Sequence, residues 1–207
     1  MRLEAGAQAT LSTAAAEKVY RSLGPETRVE TRIVLEPGAV LEWIPQETIL
    51  FDGARFLRGM RAELGPDALL LAAETLVFGR AARGETMSRG LIRDRWRLHG
   101  AQGLLWADAL ALEGDLAAPL LNPFGFAGAE ALGTLLLAGG DATAGRDLLR
   151  SLPERAPGAA TIPRPGLLLA RWMGRAAAVR EAVGEAIVTL RAAQLGLPAR
   201  LPRLWTT

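Results

Sequence analysis

The chain has 207 residues, half of them apolar, which is enough for a sizeable core and excludes disorder as its resting state. It has no Cys, one His (His99) and one Lys (Lys18). That excludes disulfides, thiolate metal sites, a multi-histidine metal centre within one chain and a Gly-Lys-Ser/Thr phosphate loop. The 24 basic and 22 acidic residues leave a formal charge of +2, too small for the strong field of a general nucleic-acid binder.

In chain order, the opening stretch MRLEAGAQATLSTAAAEKVYR lacks the continuous apolar core and cleavage site of a signal peptide. Val29, Thr31, Ile33 and Leu35 alternate with Arg28, Glu30 and Arg32, so period 2 predicts a strand with one apolar face. Pro37-Gly38 supplies a turn, and 39–44 resumes extended before Pro45. Strand, Pro-Gly, strand predicts a hairpin. The apolar run 68–78, between Gly65-Pro66-Asp67 and Gly79, suits a long strand buried on both faces, with a helix left open by periodicity alone. Ile92, Trp96 and Leu98 share one parity and Arg93, Arg95 and Arg97 the other, the cleanest amphipathic strand in the chain; it turns at 100–103 into Leu104-Leu105-Trp106.

The last third changes character. Residues 142–152 read as a short helix capped by Asp141. Residues 154–166, with Pro157, Pro163 and Pro165, read as a loop, and 166–173 as a strand. Residues 175–195 form the best helix, with Val179, Val183, Ile187 and Leu190 in one stripe and Gly196 and Pro198 as the stop. The predicted fold class is mainly β, in layered antiparallel and mixed sheets, with two helices in the C-terminal third. No internal repeat is visible, and no apolar stretch reaches the ~18–20 residues of a membrane helix, so a cytoplasmic protein is expected.

Enzyme machinery is hard to find. Ser12, Ser22, Ser88 and Ser151 all lie outside a Gly-x-Ser-x-Gly elbow, and a triad would have to use His99, which reads as a turn residue. The segment 74–85, ETLVFGRAARGE, stands out. Glu74 interrupts an apolar run, where an unpaired carboxylate is costly to bury. Arg80, Arg83 and Glu85 follow around tight glycines. Two readings stand: a turn held by local ion pairs, or a polar functional site. Residues 136–141 read as a strand entering a helix through Gly139-Gly140, without the spaced glycines of a dinucleotide site. The arginines at 93, 95 and 97 read as a solvated or partner-facing surface, since no aromatic residue interleaves them for base stacking.

Four blocks together resemble a known family. They are ATLSTAAAEKVYRS (9–22), EPGAVLEWIPQETILFDGARF (36–56), FGRAARGE (78–85) and LPRLW (201–205). In this order they are similar to the UreD (UreH) urease accessory proteins, whose Gly-Arg-x-x-x-Gly-Glu signature falls on Gly79, Arg80, Gly84 and Glu85. The resemblance implies a β-rich, non-catalytic, chaperone-like maturation factor. It would bind apo-urease together with UreF and the GTPase UreG and assist nickel insertion into the urease active site. A homodimer within that complex is compatible, while nucleic acid and membrane are not expected partners. The alternative is a purely structural scaffold that never meets the metal, and a third reading is an enzyme acting through His99.

The resemblance implies no catalytic residue and no tightly bound cofactor, only transient nickel(II). Weak oxygen ligands suit a metal that must be released. Glu85 is the candidate from the family signature, and Glu74 and Asp108 are candidates from their apolar surroundings. Gly79, Arg80, Arg83 and Gly84 are expected to shape the turn. Leu201, Pro202, Arg203, Leu204 and Trp205 are candidate partner-binding residues, with packing of Trp205 onto the sheet as the equal alternative. The family's Pro-Pro-Gly-Gly stretch and following Gly-Asp pair have no counterpart here. The expectation is therefore one domain over 1–207 that lacks the family's first segment and leaves a sheet edge open.

Overall fold

The computed structural model describes residues 1–205. Seven short or medium strands come first: β1 (Arg2–Leu3), β2 (Gln8–Leu11), β3 (Glu17–Val19), β4 (Thr27–Leu35), β5 (Val40–Trp43), β6 (Thr48–Leu50) and β7 (Arg55–Leu64). Then come β8 (Leu69–Phe78), β9 (Arg89–Gly100), β10 (Gly103–Asp115), helix α1 (Ala117–Leu121) and β11 (Ala131–Ala138). Helix α2 (Ala142–Ser151), β12 (Gly158–Arg164), β13 (Leu167–Gly174) and helix α3 (Ala176–Leu195) complete the chain, before a last 3-10 turn at Arg203–Trp205. The predicted class holds: a mainly β protein with mixed sheets and two helices in its C-terminal third.

The strands form two sheets. One has the order β1-β4-β7-β9-β10, and the other β12-β13-β11-β8-β5-β2, with β6 and β3 continuing the line of β5 and β2. From β1 to β9 the first sheet is parallel, as are the pairs β8-β5, β5-β2, β8-β6 and β6-β3. Parallel neighbours follow from the route of the chain, which passes from one sheet to the other and back in each circuit as far as β9. Each circuit sets a strand beside its predecessor: Val29 pairs with Arg58, and Phe56 with Ile92. The turns stack too, with the Gly6 amide donating to the Pro37 carbonyl and the Gly38 amide to the Pro66 carbonyl.

The structure corrects two expectations. β4 and β5 are not a hairpin; they lie in opposite sheets, because the apolar face of β4 (Ile33, Leu35) packs on Leu41 of β5 across the core instead of beside it. The loop expected at 154–166 contains β12, an edge strand whose one proline, Pro163, falls in the register shift between Thr161 and Arg164. The fold winds in successive circuits although the sequence shows no repeat, since a coil of this kind needs only matched inner faces. The β9–β10 turn, the long strand at 68–78, the Asp141 cap and the 175–195 helix are where the sequence placed them.

The core has three parts. Two apolar clusters fill the space between the sheets: one around Ile33, Leu70, Trp96 and Leu136, the other around Phe56, Leu76, Phe78 and Ile92. A third lies on the outer face of the second sheet, where Val179, Val183, Ile187 and Leu190 of α3 bury against Leu71, Leu135 and Leu168. The stripe predicted for this helix is fully buried. Among the described residues no helix is long and apolar enough to cross a membrane.

Candidate functional site

Between the two inter-sheet clusters lies a polar layer. Every central strand contributes to it at the same level. On β7, Arg58 stands between Phe56 and Met60; on β9, Asp94 between Ile92 and Trp96; on β8, Glu74 between Ala72 and Leu76; on β11, Thr134 between Leu132 and Leu136. Arg58 and Asp94 are register partners, as are Glu74 and Thr134. Arg58, Glu74 and Asp94 are only 7%, 4% and 8% exposed, so the layer crosses the interior.

The contacts are specific. The Arg58 guanidinium grips Asp94 with two hydrogen bonds, Nε to Oδ1 at 3.1 Å and Nη2 to Oδ2 at 2.7 Å. The same Nη2 lies 2.9 Å from Glu74 Oε2, an ion pair without hydrogen-bond alignment, so that oxygen has no donor. Trp43 Nε1–H reaches Glu74 Oε1 at 3.4 Å. One guanidinium thus serves two carboxylates in the buried interior. Burial drives Glu74 up to about 7, against the attraction of Arg58 and with the negative charge of Asp94 adding to the rise. Burial alone would weaken the Arg58 cation, but the two carboxylates hold its pKa above the ordinary value.

The strand line beside the layer is broken there. β5 pairs with β8 over Leu69–Ala72 and β6 over Leu76–Phe78, and the chain between them bends through Pro45. Glu74 sits at that gap. At the opposite edge Arg171 on β13 bonds Asp108 on β10, and both line a cavity of about 470 Å³ with Phe126 and Leu132.

Glu85 lies elsewhere, in the turn joining β8 to β9. Gly79 has φ +92°, and a Cβ there would meet the Glu85 carbonyl oxygen at 2.4 Å, so only glycine lets the turn close. Ala81–Arg83 form one 3-10 turn, capped by Gly84 at φ 68°. The closed turn lets Arg80 bond Glu85 directly, and this bond is the main cause holding the Glu85 carboxyl below its usual range. Arg80 also stacks 4.3 Å from the Phe51 ring, while Arg83 points to solvent. Asp52 anchors the other side, accepting from the Ser88 amide at 2.7 Å, the Ser88 hydroxyl at 2.9 Å and the Arg89 amide at 3.1 Å. Gly79 and Gly84 thus take the positive φ angles of this turn and Arg80 bonds across it, while the Arg83 side chain makes no bond within it among the described residues.

The structure does not bring Glu74, Glu85 and Asp108 together: they occupy the interior, a surface turn and a sheet edge. Among the described residues no three His, Cys, Asp or Glu side chains converge on a metal-sized site. His99 ends β9 half-buried, and its Nδ1 has no hydrogen-bond partner. The C-terminal block packs inward through Trp205, 5% exposed, whose indole N–H donates to the Ile44 carbonyl at 2.9 Å. Leu201 and Pro202 are half-buried, and Arg203 and Leu204 exposed.

Sequence reading missed Arg58 and Asp94. Their signal was present: each is a charge on the apolar parity of its strand, the mark of a buried pair. The chain matches the family model described as UreD urease accessory protein over residues 1–206. This chain belongs to the UreD urease accessory protein family. It is 52% identical over 206 residues to the urease accessory protein UreD of Granulibacter bethesdensis, covering 99% of this chain and 86% of that one. It is similar at 46% over 205 residues to UreD of Magnetococcus marinus, covering 96% and 71% of the two chains. UreD of a Methylobacterium species is also 46% identical, over 209 residues, covering 98% and 72%. In this chain Gly79 and Gly84 close the turn, and the Arg80–Glu85 pair holds it.

Proposed function

We propose that this protein is a non-catalytic maturation factor for urease, acting in the cytoplasm. It holds apo-urease in a complex with UreF and the GTPase UreG and assists nickel delivery to the urease active site. The observation that carries this reading is the family match across residues 1–206. The polar layer agrees with it. It offers only oxygen ligands, which hold a divalent ion loosely, and it runs from Glu74, beside the break between β5 and β6, towards the cavity at Asp108. Nickel is cargo here, not a resident cofactor. Glu85 is proposed as an entry carboxylate, held in a rigid turn by Arg80 and the Asp52 amide.

One observation favours the scaffold reading. All three candidate carboxylates already face an arginine: Glu74 with Arg58, Glu85 with Arg80, Asp108 with Arg171. A cation would have to displace each guanidinium. The two readings part in a cell that expresses urease and the full accessory set. The expected result for Glu85→Gln is reduced urease activation and nickel content, with the accessory complex still recovered intact and the protein still folded. Wild-type activation by Glu85→Gln, Glu74→Gln and Asp108→Asn alike would leave the scaffold reading standing alone.

A further inference from the structure

The outer face of the first sheet carries a grid of side chains. Register places Arg28, Leu57, Arg93 and Ala111 in one row across β4, β7, β9 and β10. The next row is Glu30, Gly59, Arg95 and Ala109, and the third is Arg32, Arg61, Arg97 and Ala107. Six arginines thus share one face with Glu30, Glu63 and Glu113, a surplus larger than the +2 of the entire chain.

The charges are not all used within the fold. Arg32 and Arg61 share Glu63, and Arg93 pairs with Glu113. Among the described residues no carboxylate lies within 4 Å of Arg95 or Arg97. Side chains on alternate residues of a strand are spaced by roughly 6.7 Å, and adjacent strands by roughly 4.8 Å. Arg28, Arg61, Arg93, Arg95 and Arg97, with Glu30, line a groove of about 370 Å³ around Gly59. Glu30 leans over that glycine: a Cβ on residue 59 would meet its carboxylate at 2.5 Å. The alanine column of β10 extends the face as a low, flat shelf.

We propose that this face docks an acidic protein segment, one whose spaced Asp or Glu side chains are gripped by Arg95 and Arg97 beside the Gly59 groove. The chemistry separates this partner from a nucleic acid. A continuous phosphate chain would be repelled by Glu30 in the central row and by Glu63 and Glu113 at the rims, and would find no aromatic ring on which to stack a base. Discrete carboxylates interspersed with other side chains fit the mixed pattern, and arginine binds carboxylate in a two-pronged geometry.

The test uses the full chain with an oligoglutamate peptide, an oligothymidylate of equal charge and an oligolysine control, at low and physiological salt. The expected result is saturable, salt-weakened binding of oligoglutamate, weaker binding of oligothymidylate, and none of oligolysine. Arg95→Glu/Arg97→Glu breaks no native ion pair, so the variant keeps its melting temperature and loses oligoglutamate binding by about tenfold or more. The control Arg175→Glu/Arg146→Glu makes the same change of net charge on the helical side and keeps most of the binding. Equal losses in the two variants would reduce the effect to bulk charge and overturn the proposal, as would tighter binding of oligothymidylate or no binding of oligoglutamate.

Discussion

Glu74 is the residue on which burial, charge and geometry bear most directly. It shares Arg58 with Asp94, so the fully ionised trio carries one uncompensated negative charge among buried groups. A proton on Glu74 removes it, and Trp43 N–H contacts the carboxyl in either state. Because the folded-state pKa of about 7 stands above the ordinary 4.5, the folded form binds this proton more tightly than the unfolded chain. The resulting stabilisation is whole below the unfolded pKa and is lost as pH rises through the folded one. The expected outcome is a melting temperature that falls between about pH 5 and pH 8, by the equivalent of on the order of 1–3 kcal/mol. Glu74→Gln is neutral throughout and flattens that part of the profile. Identical pH profiles for wild type and variant, measured by thermal unfolding, would show that Glu74 stays charged at both ends.

At the scale of elements, what was legible depended on whether a signal was local. Asp141 was readable as a cap because capping is decided within one turn. Its Oδ1 accepts from the Ala144 amide at 2.9 Å, and its own amide is held by Gln194 at 2.9 Å. Asp141→Ala is expected to lower stability by about 1 kcal/mol in a urea titration, with the fold unchanged. A loss near zero would mean that Gln194 alone fixes the start of α2. β9 was equally readable, since alternation in one strand states which face is buried. Pairing was not: the Pro-Gly turn after β4 looks the same whether the chain folds back in its own sheet or crosses to the other, and only the partner strands, roughly one circuit away, decide between them. β12 was hidden by Pro163 and the flanking Pro157 and Pro165, since proline is tolerated at an edge. The triad was half legible. Glu74 stood out as a charge in an apolar run, but Arg58 and Asp94 sit in strands where neighbouring arginines and glutamates mask them, and only the sheet register brings the three together.

The whole molecule is asymmetric: helices cover one outer face, and the arginine grid of the other stays bare. The helical side is closed by the C-terminal segment, which turns at Gly196 and runs back over α3 to the bend at 44–47. Buried Arg191 grips Glu42 with Nε at 2.9 Å and Nη2 at 3.1 Å, and its other nitrogen serves the carbonyls of Pro198 and Arg200. Gln46 then bonds the Leu204 carbonyl at 2.5 Å, Arg180 the Trp205 carbonyl at 2.9 Å, and the Trp205 ring fills the end of the helix–sheet core. The C-terminal block is therefore part of the fold before it is available to any partner, and what it leaves accessible is Arg203, Leu204 and the outer parts of Leu201 and Pro202. Trp205→Ala deletes a buried ring and its indole hydrogen bond, so the expected cost is about 3–5 kcal/mol. It also frees residues 196–205 to proteolysis, which limited digestion followed by mass measurement detects as early loss of the C-terminus. A variant that melts like wild type and keeps its tail protected would place the whole weight of the block on partner binding instead.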